Sequence, residues 1–304
     1  MTAARKVVVD NKVVAENIAL RSVLDFHYEV WRAPESLEDK RVCIFVAYAP
    51  DGYIPKSSVW FLRALRNERL AVICIVASRN SGPPYADTEI ECDGLISRDN
   101  FGYDFASWAL GLQIMPSIWK AKFVIFANDS MFGPISQSRL SVLLQRLEES
   151  TSDYIALTES WQVAHHYQSY LFALKSRALC NPQVKHFWTT LRCVEDRDQA
   201  ILRYEVPMLE RMTGLGLKTE ALFPLGGRDL GKDINPTLDH WRELIDEGFP
   251  FIKVQTLRDD ISGVDKRGWR SSTAIDPDLL PLMIERLGGR REQDRRASIA
   301  RPHK

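Results

Sequence analysis

The chain reads as an α/β domain: a mostly parallel central sheet flanked by helices, with an N-terminal helical extension before it and a C-terminal helix and basic tail after it. Three observations predict this. The stretches "RVCIFVAYAP" (41–50) and "AVICIVAS" (71–78) are unbroken apolar runs of strand length, rich in β-branched residues, as strands buried on both faces are. Between them, "PKSSVWFLRALRNERL" places Val59, Leu62 and Leu65 on one face of a helix. Strand, helix and strand with short connections make a right-handed βαβ unit, and its two strands must lie parallel.

Each further element follows in order. Residues 1–40 form the extension, with a helix expected within "VVAENIALRSVLDFHYEVW" (13–31). The main domain runs from 41 to 287. "DGLISRDNFGYDFASWALGL" (93–112) is a short strand, a loop with Arg98, Asn100 and Gly102, and a helix with Phe105, Trp108, Ala109 and Leu112 at helical spacing, N-capped by Asp104. "KAKFVIFA" (120–127) is the next strand, and a helix from about Ser136 carries Leu140, Leu143, Leu144 and Leu147 on one stripe. "DYIALTES" (153–160) fits a strand, and "HHYQSYLFALKS" (165–176) fits strand or helix. "DQAILRYE" and "PMLERMTGLG" are helical, parted at Pro207 and ended by Gly214 or Gly216. "NPTLDHWRELIDEGFPFIKVQTLR" (235–258) is a helix and then a strand, and "DPDLLPLMIERLGG" (276–289) is a final helix.

Composition narrows the function. Of 304 residues, 45% are hydrophobic and 26% charged, which supports a sizeable core and excludes disorder for the bulk of the chain. Forty basic and forty acidic residues cancel, so no global field favours a nucleic-acid partner. Cys43, Cys74, Cys92, Cys180 and Cys193 show no C-x-x-C pairing and read as small buried hydrophobes in a reducing compartment. Neither a membrane-spanning apolar run nor a signal-peptide core is present, so a cytoplasmic protein is expected. The tail, 288–304, is rich in arginine. It reads as a disordered solvated segment, with peripheral contact to an anionic membrane as the sharper alternative.

In open α/β sheets, ligands lie beyond the carboxyl ends of the strands. After the first strand, Tyr48 can stack on a base and Asp51 can accept from a base or ribose, although a plain turn explains "YAPDGY" equally. In "SRDNFGYDFASW", Arg98 can pair with a diphosphate, Gly102 admits close backbone approach, and the helix start offers N–H groups to an anion. The bland reading is a capped helix start. In "FVIFANDSMFGP", Asp129 leaves a buried strand between Asn128 and Ser130, where it can hold a divalent cation or simply cap a helix. Trp161, His166, Gln168, Ser169 and Tyr170 offer the flat faces and hydrogen-bonding groups a sugar ring uses, or a polar interface inside the domain. Glu205, at a helix junction, suits a general base or a charge at a helix N-terminus.

Taken in order, "RDNFGYDFASW", "IFANDSMFGP", "HHYQSY", "YEVPML…GLG" and "NP…LIDEGFPFIKVQTLR" resemble the rhamnan synthesis protein F family of bacterial surface-polysaccharide enzymes, from about Val42 to Arg258. The resemblance implies a GT-A-like (Rossmann-like) glycosyltransferase, with a nucleotide-binding half over 41–135 and an acceptor half over 136–287. It implies an acidic triplet at Asn128, Asp129 and Ser130, with Asp129 on Mg²⁺ or Mn²⁺ or on the donor diphosphate. The usual GT-A triplet has two carboxylates and this one has only Asp129. It further implies nucleotide-sugar contacts from Tyr48, Asp51, Arg98, Asn100, Gly102, Asp104, Asn128 and Lys253, and acceptor contacts from Trp161, His166, Gln168 and Ser169. Glu205 becomes the general base, with Asp104 and Glu159 as rivals, and His240 becomes a second metal ligand or a surface histidine. The implied reaction moves rhamnose or a related hexose from a dTDP- or UDP-linked donor to a lipid-linked glycan at the inner face of the cytoplasmic membrane, building a surface polysaccharide such as O-antigen. The alternative is a non-catalytic glycan or nucleotide-sugar binding module on the same fold.

Overall fold

The computed structural model describes residues 21–80, 82–194, 196–224, 234–259, 261 and 264–288. The central strands form where the apolar runs predict. They are β2 (Arg41–Tyr48), β3 (Ala71–Ser78), β4 (Gly94–Asp99) and β5 (Phe123–Asn128), preceded by β1 (Tyr28–Arg32). Two of their connections are helical: α1 (Lys56–Asn67) leads from β2 to β3, and α2 (Tyr103–Ile114) from β4 to β5. After β5 come β6 (Met131–Phe132), α3 (Gln137–Glu149), β7 (Tyr154–Ala156), β8 (Glu159–Ser160), β9 (His166–Tyr167) and β10 (Leu171–Lys175). Then follow α4 (Ser176–Leu179), α5 (Pro182–Thr190), α6 (Arg197–Ala200), a π-helical turn (Ile201–Glu205), α7 (Met208–Gly214) and β11 (Thr219–Ala221). The last elements are α8 (Pro236–Asp239), α9 (Trp241–Asp246), β12 (Ile252–Lys253), α10 (Val254–Arg258) and α11 over residues 279–288.

Eight strands make one sheet in the order β1-β4-β3-β2-β5-β10-β7-β11. Its centre is parallel: helices return the chain from β2 to β3 and from β4 to β5, and the segment between β3 and β4 crosses back with no helix among its described residues. β10 and β7 then run antiparallel, and β11 pairs parallel with β7 at the far edge. Apolar side chains cover both faces. One layer stacks Phe126 of β5 on Trp188 of α5 at 5.2 Å and sets Trp108 of α2 edge-on to Phe172 at 5.4 Å. The other packs Phe61 and Leu62 of α1 and Leu140, Leu143 and Leu144 of α3 beneath the sheet. A smaller cluster joins Trp241, Trp269 and Met283 over Phe132.

Three elements differ from expectation, the first being the end of the 235–258 segment, where the expected strand covers only Ile252–Lys253 and Val254–Arg258 is helical. Part of the expected N-terminal helix is instead β1, which pairs antiparallel with β4 and anchors through a 2.8 Å hydrogen bond from the Trp31 indole to Ser97. Its position at the sheet edge, half-buried at Tyr28 and Glu29 and exposed from Val30 to Arg32, explains its mixed sequence. Residues 1–20, the rest of that extension, lie outside the described residues, as does the basic tail beyond 288. α2 is not one-faced either: every residue from Phe105 to Leu112 is buried, because α5 covers the side turned from the sheet. Four cysteines are buried as expected, while Cys180 is exposed. Among the described residues no helix is long and apolar enough to cross a membrane.

Candidate active site

The carboxyl end of β5 meets the start of β10, because these strands are antiparallel and Leu171 lies opposite Ala127. The 166–170 segment is thereby carried to the edge where β5 releases Asn128. The first turn of α2, the π-helical turn and β12 close around the same point. Together they enclose a cavity of about 710 Å³ lined by Asp104, Asn128, Ser130, His166, Gln168, Ser169, Arg197, Glu205, Asn235 and Lys253, among others.

Two carboxyl groups face this cavity from opposite walls. Asp104 is not the N-cap of α2; that position belongs to Gly102, and the Asp104 carboxyl instead accepts a 2.7 Å hydrogen bond from the Asn128 side-chain amide. The Asn128 amide oxygen accepts from the Ser130 backbone N–H at 3.1 Å and from its hydroxyl at 2.6 Å, which fixes the amide's orientation. Burial, then the nearby Asp129 charge, pushes Asp104 up to about 7, and Glu205 adds to this against the Asn128 hydrogen bond and Arg197.

Glu205 is held differently. Its carboxylate accepts from the Ser169 backbone N–H at 3.2 Å and from the Ser169 hydroxyl, and lies 3.4 Å from His166 Nε2. Burial alone would raise it, but His166 and Ser169, with help from Lys253, carry it below the usual glutamate value. His166 Nδ1 lies 2.8 Å from the Ala164 carbonyl, which can only accept, so Nδ1 carries hydrogen. Nε2 then faces a carboxylate, and although burial works against it, Glu205 and the Ala164 carbonyl raise His166 above its ordinary value. Lys253 lies on the same wall; burial draws its ammonium down to about 8 while Glu205 opposes this.

The structure therefore brings Asp104, Asn128, His166, Gln168, Ser169, Glu205 and Lys253 together. Gln168 does so with its amide already committed to Thr158 at 2.8 Å and Asn235 at 3.1 Å. The other candidates lie elsewhere. Arg98 is buried in packing, donating to the Ser107 hydroxyl at 3.0 Å and the Phe101 carbonyl at 2.8 Å, so it ties β4 to α2 and does not reach a diphosphate in the cavity. Gly102 is required by a φ of 76° and by a neighbouring Ala106 Cβ that an added Cβ would meet at 2.6 Å. Asn100 is half-buried in the same loop, outside the cavity lining. Asp51 is an exposed turn residue accepting from the Tyr53 N–H at 3.1 Å, and Tyr48 stays half-buried at the end of β2. Trp161 stacks on His165 at 4.3 Å beside the cavity mouth, while His165 pairs with Glu159 at 2.8 Å. His240 sits 3.5 Å from Glu243 on the following helix, away from Asp129.

Asp129 is the largest departure. Its carboxylate is bound by Arg286 of α11 at 2.7 Å, and the same guanidinium donates to the Asp129 carbonyl at 2.8 Å. Arg286 also reaches the Ser57 and Ser58 hydroxyls at the start of α1. Both side chains of the pair are largely buried, and neither lines the cavity. Among the described residues no group of three or more histidine, cysteine or acidic side chains is arranged to hold a metal ion. Sequence reasoning missed Arg197, Asn235 and Arg286. Arg197 follows Asp196, the N-cap of α6, which marks the helix start but not what it faces.

The family model for rhamnan synthesis protein F matches residues 77–285. The virulence protein VirA of Vibrio anguillarum is 30% identical over 255 residues, covering 74% of this chain and 81% of VirA. The uncharacterized protein y4gN of Sinorhizobium fredii is 24% identical over 214 residues, covering 66% of this chain and 54% of y4gN. Among solved structures, mannosyltransferase PcManGT from Pyrobaculum calidifontis, in complex with GDP-Man and Mn²⁺, overlaps at 10% identity and a TM-score of 0.33, covering 85% of this chain and 72% of that one. A CMP:2-keto-3-deoxy-manno-octonic acid synthetase complexed with CTP overlaps at 12% identity and the same TM-score of 0.33, covering 69% of this chain and 99% of that one. Overlap this loose carries no argument about the site.

Proposed function

The chain belongs to the rhamnan synthesis protein F family, and from that premise we propose that it is a glycosyltransferase, transferring a sugar from a nucleotide-sugar donor to a hydroxyl of a growing surface glycan. The observation that carries this reading is the pair of half-buried carboxyl groups, Asp104 and Glu205, that line one cavity with their acidities moved in opposite directions. Paired acids driven apart are how one site assigns distinct roles to chemically similar groups.

In the reaction, the acceptor oxygen attacks the anomeric carbon of the donor, the bond from that carbon to the diphosphate breaks, and the hydroxyl proton must go to a base. Asp104 is the better base: it accepts a single hydrogen bond among the described residues and its acidity is matched to neutral pH. Glu205, bound by Ser169 and His166, is a weak base and a fixed anion that helps keep Lys253 charged. Lys253 and Arg197 meet the charge of the departing nucleoside diphosphate. Family membership supports rhamnose or a related hexose, a dTDP- or UDP-linked donor and a lipid-linked acceptor at the inner membrane face.

The test is a panel of nucleotide sugars with a glycan acceptor, read as released nucleoside diphosphate. Acceptor-dependent release that Asp104→Asn slows about 10²–10⁴-fold, with donor affinity retained, supports the proposal. Donor binding with no release by the unaltered protein would instead favour the binding module.

A further inference from the structure

The mouth of the cavity is apolar where water would favour polar groups. Val163 is 74% exposed and Leu202 is 52% exposed, both at the cavity, with Trp161 beside them at 48%. Val163 holds a φ of 71°, a conformation that β-branched residues rarely take. It forms the tip of a tight turn closed by a 2.9 Å hydrogen bond from the Ala164 N–H to the Gln162 carbonyl.

The residue after Leu202 opens onto a second cavity. Arg203, Arg192 and Arg211, with His186, line a groove of about 500 Å³ whose lining contains no acidic residue. Arg211 lies over the Phe187 ring at 4.6 Å, and the Tyr204 hydroxyl donates to the Arg192 carbonyl, so the groove has an aromatic floor and arginine walls. The nearest acids in sequence are Glu195, Asp196, Asp198, Glu205 and Glu210; Asp196 is spent as the N-cap of α6, and Glu205 lines the first cavity rather than the groove. One π-helical turn thus presents an apolar side chain to the mouth and a guanidinium to the groove.

We propose that this face docks on an anionic lipid bilayer, with Arg192, Arg203 and Arg211 on headgroup phosphates and Trp161, Val163 and Leu202 in the headgroup boundary, so that the cavity opens at the membrane surface. Guanidinium groups pair with phosphate oxygens through parallel hydrogen bonds, and exposed apolar and indole side chains gain by leaving water at the interface. A soluble polyanion would satisfy the arginines but leave the apolar rim in water, so the two features together select a membrane. Docking depends on no step of sugar transfer and is measured without turnover.

The experiment is co-sedimentation of the full chain with phosphatidylcholine vesicles, with and without phosphatidylglycerol. Binding is expected only with phosphatidylglycerol. The double variant Arg203→Gln and Arg211→Gln should weaken it roughly 25-fold, about fivefold per arginine, with an unchanged melting temperature. Trp161→Ala should weaken it further with both arginines in place. Unchanged binding by the arginine variant would overturn the proposal and move the contact to the basic tail at 288–304. So would displacement by inorganic diphosphate without any effect of Trp161→Ala, since the groove would then be a site for a soluble anion.

Discussion

Asp104 and Glu205 carry the same functional group and meet opposite surroundings, so their substitutions should separate. Asp104→Asn keeps the oxygen that accepts from Asn128 and removes only the titration; kcat should fall about 10²–10⁴-fold, with donor affinity little changed in a calorimetric titration. The rate of the unaltered protein should rise with pH through about 7 as Asp104 loses its proton, and the variant's residual rate should lack that limb. Stability runs the other way. Asp104 binds its proton more tightly folded than unfolded, so its contribution is full below pH 3.8, the unfolded value, and is lost as pH rises through about 7. Asp104→Asn should therefore melt higher than the unaltered protein at pH 8. Glu205 is held below its usual value, so its contribution is present above the unfolded value and lost in acid. Glu205→Gln should lower the melting temperature at neutral pH and lose that penalty as pH falls. The sequence pointed to His166 because a polar and aromatic cluster is visible in one dimension, and to Glu205 through a helix junction and the family resemblance. The partnership of Asp104 with Asn128 was not visible there, since it joins the first turn of α2 to the end of β5, which meet only as α2 packs across β3 and β2.

At the level of elements, the ion pair between Asp129 and Arg286 links the centre of the sheet to α11. With both side chains largely buried, removing one partner strands a charge, a loss that reaches about 3 kcal/mol or more for fully buried pairs. Arg286→Met and Asp129→Asn should each lower stability in urea titrations, and the double variant should lose less than the sum, with a coupling of about 1–3 kcal/mol. Additive losses would contradict the pairing. Asp129→Ala consequently tests the fold as well as the chemistry, whereas the same substitution at a free triplet acid would test chemistry alone. The central strands were legible as unbroken apolar runs, and α1 and α3 because each satisfies a single periodicity against a single layer. α2 was legible as a helix but not as one buried all round, and β1 was not legible at all, because their coverings come from segments distant in sequence. The π-helical turn leaves no mark in "ILRYE" either. Its 2.9 Å bond from the Val206 N–H to the Ile201 carbonyl is a choice of backbone register that packing makes.

For the whole molecule, a nucleotide sugar filling a cavity of about 710 Å³ should stabilise the fold as any ligand of the native state does. At a hundredfold excess over Kd the gain is about 2.7 kcal/mol, readable as a rise of a few degrees in melting temperature. Asp104→Asn should keep that rise, since Lys253 and Arg197 remain to meet the diphosphate, while a variant lacking Lys253 should lose most of it. The architecture was readable in the alternation of apolar runs and helices, and so was the side of the sheet on which ligands would gather. What the chain does with Asp129 was not, because its partner arrives 157 residues later. That separation has a consequence for biosynthesis. A nascent chain can assemble β2, β3, β4 and β5 as soon as residue 128 has left the ribosome, yet the carboxylate at the head of β5 stays without its cation until residue 286 has emerged. Until then that carboxylate is left to water, and docking of α11 is the step that both buries it and supplies its partner.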